Sequence, residues 1–189
     1  MCEGRQTERN YILGFCERHG INRANVIVET GGSETSALQL VRQARNRFER
    51  DRDFDAVFVV CDRDGQDLEP ARRLAARPLK NAEGARFKIQ LIVSDPCFEL
   101  WLLLHFEYCA RPMSAGEALR LVRQHVTDYN KSERRIYEVV HLGVERAIAH
   151  IEQLKSELRR VNAITPDSDM AILIEALMRL RRVAPSAIA

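Results

Sequence analysis

The sequence predicts an α/β fold: a mostly parallel sheet in residues 1–110, with a helical C-terminal extension of the same domain in residues 111–189. Three observations lead there. Short apolar runs alternate with stretches of helical period up to about residue 110, the pattern of strand–helix–strand units. One run, Val57-Phe58-Val59-Val60, is apolar at four consecutive positions, as expected of a strand covered on both faces. Beyond Pro112 only amphipathic helical patterns follow.

Taken in order, Thr7 caps a first helix whose inner face is Tyr11, Ile12, Phe15 and Cys16, and Gly20 ends it. Residues 25–29 read as a short strand closed by Gly31-Gly32. Ser33 or Thr35 caps a second helix carrying Leu38, Val41, Ala44 and Phe48 inward. The central strand covers residues 56–61. Pro70 suits the first turn of a third helix with Leu74 and Ala75, which Pro78 ends. Residues 87–93 form the next strand. Asp95 as cap and Pro96 at the first helical position then start a fourth helix, from Cys97 to about Glu107, apolar nearly all round and therefore buried.

In the extension, Ser114 and Glu117 form a capping box for a helix with Leu119, Leu121, Val122 and Val126. Tyr129-Asn130-Lys131 is a polar break, and residues 133–161 read as one long amphipathic helix. Thr165-Pro166-Asp167 interrupts before a last helix bearing Met170, Leu173, Ile174 and Leu177.

Composition narrows the function classes. With 46% hydrophobic and 30% charged residues among 189, the chain is an ordinary globular domain. A net charge of +2 excludes a uniformly basic body. Arginines do cluster at Arg42, Arg45, Arg47, Arg50 and Arg52, at Arg134-Arg135, at Arg159-Arg160 and at Arg179, Arg181 and Arg182, where solvated helix faces are the plain reading. Five scattered cysteines contain no C-x-x-C pair, so neither a zinc knuckle nor a thioredoxin-type site is suggested, and Cys61 and Cys97 read as buried small hydrophobes. The longest apolar run, Leu100-Trp101-Leu102-Leu103-Leu104, is far too short to span a bilayer. A reduced, cytoplasmic protein without membrane contact is expected.

The chemistry concentrates in carboxylates. Asp62 and Asp64 follow the central strand, where ligands of open parallel sheets bind. Such a pair can hold a hard divalent cation, and reads equally well as a solvated turn. Glu99 falls in the first turn of the fourth helix, and Glu3 precedes the first helix. Carboxylates gathered at one sheet edge are costly unless a cation neutralises them, so a Mg²⁺ site is expected. His105 and Trp101 lie on the apolar helix and read as core. Tyr129, in the polar break, is the better candidate for contacting a nucleotide. His19, His125, His141 and His150 read as surface residues without metal spacing. Gly65-Gln66 after the aspartates does not suit a haloacid-dehalogenase phosphatase, and no Gly-x-x-x-x-Gly-Lys-Ser/Thr loop is present.

The Cys-Glu-Gly-x-x-Thr-Glu opening, the Asp-Arg-Asp of residues 62–64 and the string Ser94-Asp95-Pro96-Cys97-Phe98-Glu99-Leu100-Trp101-Leu102-Leu103-Leu104-His105-Phe106 together resemble the RloB family. This is a Toprim-like group linked to restriction-modification and other antiphage defence loci. The resemblance extends through Tyr129-x-Lys131 to the Thr165-Pro166 region. It implies a Toprim-like, Rossmann-like sheet, a Mg²⁺ (or Mn²⁺) centre, and cleavage of DNA or RNA phosphodiester bonds. It further implies that Glu3 is the general acid/base and a metal-site residue, that Asp62 and Asp64 bind the metal, that Glu99 lies next to it, and that Lys131 contacts phosphate or a transition-state charge. An ATPase encoded nearby is the implied protein partner, and the alternative function is a catalytically inactive partner or sensor that docks on it through the helical half.

Two departures stand out. Asp95 occupies a position usually held by Asn in the family; both residues can cap a helix. The family also places an apolar strand before its Cys-Glu-Gly, whereas only Met1 and Cys2 precede Glu3. The first strand is therefore expected to be missing or to start upstream, leaving Glu3 without support, and an upstream start restoring about six apolar residues is expected to raise activity and stability.

Overall fold

A computed structural model describes residues 1–3, 6–32 and 36–182. In chain order it forms α1 (Thr7–Arg18), α2 (Ala37–Arg50), β1 (Phe58–Asp62), α3 (Glu69–Ala75), β2 (Leu79–Lys80), β3 (Arg86–Phe87) and β4 (Gln90–Asp95). There follow α4 (Phe98–Leu104), α5 (Ala115–His125), α6 (Ile136–Val140), α7 (Val144–Val161), β5 (Asp167–Ser168) and α8 (Met170–Arg182).

The sheet is small and mixed. β1 runs parallel to β4, from Phe58 opposite Gln90 to Asp62 opposite Ser94. β5 closes the other side of β4 in antiparallel register, a strand hidden in what reads from sequence as a mere interruption. Across β1, residues 1–3 take the place of the strand expected to be missing. Val60 N–H donates to Met1 O at 2.8 Å and Glu3 N–H to Val60 O at 2.9 Å. On their far side, Cys2 N–H donates to Glu29 O and Gly31 N–H to Cys2 O, both at 2.9 Å. Cys2 thus forms parallel bridges to both Thr30 and Val60. Glu3 has rigid main-chain support, because parallel pairing on two sides needs only amides and carbonyls. From residues 1–3 the chain spreads one way to residues 29–31 and the other way to β1, which makes a topological switch point at the carboxyl ends of these segments.

Side chains alternate across the sheet. Val59 and Cys61 of β1 and Val93 of β4 pack on Leu40, Val41, Ala44 and Phe48 of α2 and on Ala71 of α3. Cys2, Val60 and Ile92 face the larger core built from α1 and α4–α8. α4 lies at its centre with all seven residues buried, as its continuous apolar character requires. Trp101 is fully buried. His105 is buried too, its Nδ1 2.8 Å from Trp101 O and its Nε2 3.0 Å from Tyr11 Oη. Burial pushes His105 down to about 4, so the imidazole is neutral, with Nε2 accepting a hydrogen bond from the Tyr11 hydroxyl and Nδ1–H donating to Trp101 O. All five cysteines are buried and free. Among the described residues, no helix is long and apolar enough to cross a membrane.

Several elements depart from the sequence expectation. Ser33 and Thr35 lie outside the described residues; the cap of α2 is Ser36, in a reciprocal capping box with Gln39. Residues 25–29 do not form a ladder: Arg23–Asn25 is a 3₁₀ turn held by the Asn22 side chain, and only Thr30 bridges to the sheet. The strand expected at 87–93 is split into β3, which hairpins with β2 around Gly84 (φ +92°), and β4. Asp95 does not cap α4; it ends β4 and pairs with Arg63 at 2.8 Å. His19, His141 and His150 are half-buried rather than on the surface, with His150 Nδ1 2.8 Å from Leu104 O and His19 Nε2 2.8 Å from Tyr137 Oη.

The long helix of 133–161 breaks at residues 141–143 because Gly143 approaches the end of α4: a Cβ there would lie 2.3 Å from His105 O. Gly143→Ala is accordingly expected to destabilise the protein by about 2 kcal/mol and to lower Tm by roughly 4–8 °C. Gly116→Ala, in an exposed turn of α5 with only Ser114 Oγ nearby at 4.0 Å, should instead leave Tm unchanged or raised. Thermal unfolding followed by circular dichroism separates the two, and equal effects would contradict the packing assigned to Gly143.

Candidate active site

The carboxyl ends of residues 1–3 and of β1 place Glu3 and Asp62 side by side at the switch point. Glu8 enters from the first turn of α1 and Glu99 from the first turn of α4. Lys131 reaches in from the loop between α5 and α6. These five side chains line one pocket of about 440 Å³.

Hydrogen bonds fix the arrangement. Asp62 N–H donates to Glu3 Oε2 at 3.0 Å, and Phe98 N–H donates to Asp62 Oδ1 at 2.8 Å. Cys97, which precedes α4, offers no side-chain cap, so Asp62 satisfies the open helix terminus from the neighbouring strand. Glu99 is 2% exposed; Tyr129 Oη donates to its Oε1 at 3.3 Å, and Lys131 Nζ lies 3.3 Å from the same oxygen. Tyr129 itself is buried, which removes it as a nucleotide contact and makes it a support for Glu99. The loop is tied to α1 by Thr7 Oγ1, which donates to Lys131 O at 2.6 Å, and by Asn10 Nδ2, which donates to Glu133 O at 3.2 Å.

Among the described residues, four carboxylates and one lysine line the pocket. Burial, and then the charges of Glu8, Glu99 and Glu3, push Asp62 up to about 8, against the pull of Phe98 N–H. Glu8 is raised by burial first and further by Glu99 and Glu3, although its own amide and Lys131 oppose this. Glu3 is also raised, with burial the main cause; Asp62 N–H and the Gln66 side chain work against it, and the charge of Asp64 adds to it. For Lys131, burial disfavours the charge, but Glu99 outweighs it and the ammonium is held above its ordinary value.

Of the residues singled out from sequence, Glu3, Asp62, Glu99 and Lys131 come together, while Asp64 does not line the pocket. It is exposed on the left-handed turn (φ +35°) that leaves β1, its N–H donating to Pro96 O at 3.3 Å, and only its charge reaches Glu3. Glu8 is the residue that sequence reasoning missed. It shares a helical face with Tyr11, Ile12 and Phe15, and a carboxylate interrupting an apolar stripe is the signal that could have found it.

Among the described residues, no three acidic, histidine or cysteine side chains stand close enough to enclose an ion by themselves. The donor set is nonetheless all oxygen, and its mutual repulsion is of the kind a hard cation relieves. Mg²⁺ is ordinarily held by one or two carboxylates, with waters and substrate phosphates completing its shell, and that demand fits a pocket with carboxylates on its walls.

A family model described as RloB-like protein matches residues 1–177, and the chain belongs to that family. No curated protein and no solved structure matches it.

The raised Asp62 sets a pH dependence. Folded Asp62 keeps a proton that the unfolded chain has already lost, so its contribution to stability is full below pH ~4 and disappears as pH rises to about 8. Asp62→Asn keeps the acceptor for Phe98 N–H and removes the titration. Its stability relative to wild type should therefore grow between pH 4.5 and 8, reaching on the order of 2 kcal/mol. Urea unfolding across that range is the measurement; a pH-independent difference would show that Asp62 carries no burdened charge.

Proposed function

We propose that this RloB-like protein is a divalent-metal-dependent hydrolase that cleaves nucleic-acid phosphodiester bonds, with the carboxylate pocket as its centre. The observation that carries this reading is the sharing of one pocket at a topological switch point by four carboxylates and, among the described residues, one lysine, with Glu8 and Glu99 only 5% and 2% exposed. When bound, Mg²⁺ (or Mn²⁺) would supply positive charge to the pocket and to oxygens that gain charge during cleavage. Glu3 and Asp62, from the ends of adjacent parallel segments, are the residues that would hold it, with Asp64 adding charge from the rim.

The chain's own groups divide the remaining work. Glu8 has a raised pKa and, among the described residues, no hydrogen-bond partner on another residue, so it can take or give a proton, alongside Glu3. Lys131, 63% exposed at the mouth, can turn its ammonium from Glu99 to a phosphate oxygen. Tyr129 keeps Glu99 oriented. We place this activity in an antiphage or restriction-linked system beside an ATPase partner, as the resemblance to the family implies.

A second reading, a non-catalytic subunit that docks on such a partner, is favoured by Val139 and Leu142, apolar residues of the helical half that are 50% and 86% exposed.

Labelled DNA and RNA incubated with Mg²⁺, Mn²⁺ or EDTA test the two. Cleavage should require metal and fall at least ~100-fold in Asp62→Asn and in Glu8→Gln. Cleavage in EDTA, or full activity in both variants, would sink the proposed centre. No cleavage by wild type, with ATPase binding abolished by Leu142→Ser, would establish the second reading.

A further inference from the structure

The arginines of α2 and α3 have no part in the acidic pocket, and the structure divides them by partner. Arg47 is committed to Glu29 at 2.9 Å and to Asp51 at 3.4 Å, and Arg52 pairs with Glu49. Arg42 and Arg45 of α2 instead line a groove of about 730 Å³ together with Arg73 of α3 and Arg77 just beyond it. Among the described residues, no carboxylate lines that groove. Arg45 Nη1 donates to Arg77 O at 2.8 Å and so joins its two walls. Arg73 has an ion pair with Glu69 at 3.3 Å, but both side chains are mostly exposed and the pair is worth little. Among the described residues, Arg42 and Arg77 make no ion pair.

Solvated helix faces would spread these charges outward. Here Arg42 and Arg45, three residues apart on α2, have Cβ atoms about 5–6 Å apart, and Arg73 of α3 with Arg77 beyond it lines the other wall of the same concavity. Guanidinium groups gathered with little counter-charge suit the oxygens of phosphate, which they can grip in bidentate fashion. None of the large exposed apolar residues lies in the groove, so it lacks the anchors with which a surface enters a membrane.

Its position relates it to the acidic pocket. Ala37 N–H, at the start of α2, donates to Gln66 Oε1 at 3.1 Å, and the Gln66 side chain also bonds the Glu3 carboxylate. Arg42 and Arg73 lie five and four residues into their helices, about 6–8 Å of axial rise from the helix starts.

We propose that the α2–α3 groove is the track for the sugar–phosphate backbone of the nucleic-acid strand that enters the carboxylate pocket. The identity of that strand as substrate rests on the nuclease reading; the binding of a nucleic-acid backbone in the groove does not.

The test measures binding alone, by fluorescence anisotropy of labelled single-stranded and duplex oligonucleotides, with Asp62→Asn protein in EDTA over a salt series. Arg42→Gln/Arg73→Gln/Arg77→Gln should make the plot of log affinity against log salt shallower by about 2–3. Affinity at low salt should fall on the order of 100-fold. The triple lysine variant at the same positions should keep the slope, as should Arg50→Gln outside the groove, and unchanged thermal unfolding excludes misfolding. An unchanged slope in the triple glutamine variant, or no oligonucleotide binding by the parent, overturns the proposal. Tighter binding of anionic vesicles or an acidic peptide than of the oligonucleotides, lost in the same variant, overturns it as well. Because cleavage is not read, failure of the nuclease assay with the slope change intact would leave the groove assigned.

Discussion

One hydrogen bond, from Phe98 N–H to Asp62 Oδ1, joins the end of β1 to the start of α4 and places a carboxylate where the protein can least easily solvate it. α4 has no polar face, and Cys97 cannot cap it, so its open terminus needs an acceptor from elsewhere. Asp62 supplies that acceptor and passes its own N–H to Glu3. The same two bonds that settle the helix start therefore align two carboxylates at the switch point. The burden is visible in Asp62, held near 8 in a pocket that also contains Glu8 and Glu99. Structural need and chemical potential meet in one side chain.

Both halves of the chain build this pocket. The sheet and its first helices provide Glu3, Glu8, Asp62 and Glu99, while residues beyond α5 provide Tyr129 and Lys131, tied back through Thr7 and Asn10. The helical half also shares the larger core with Cys2, Val60 and Ile92. The arginine-lined groove lies on the other side of the sheet, where α2 and α3 pack, and Gln66 links the start of α2 to Glu3.

Much of this was legible in the sequence where local pattern and tertiary demand agree. The apolar run before Asp62 is β1, the all-apolar stretch is the buried α4, and the stripe Met170, Leu173, Ile174, Leu177 is the inner face of α8. What was not legible depended on distant partners. The pairing of residues 1–3 uses main-chain groups of Glu29, Gly31 and Val60, which leave no side-chain signature. The break before α7 is decided by His105 O pressing on Gly143, and the cap of α4 by an aspartate 36 residues away. Asp64 looked equivalent to Asp62, but the left-handed turn carries it off the pocket, and Glu8 was hidden as one more charge in a helical first turn.

Asp62 is buried among the carboxylates of Glu8, Glu99 and Glu3, which together with burial raise its pKa. Carbon-13 NMR titration of the Asp62 carboxyl group, with and without saturating Mg²⁺, measures this directly. The midpoint should lie near 8 in the metal-free protein and fall by about one unit or more when Mg²⁺ is present. A midpoint near the ordinary aspartate value of about 4, unmoved by Mg²⁺, would contradict it.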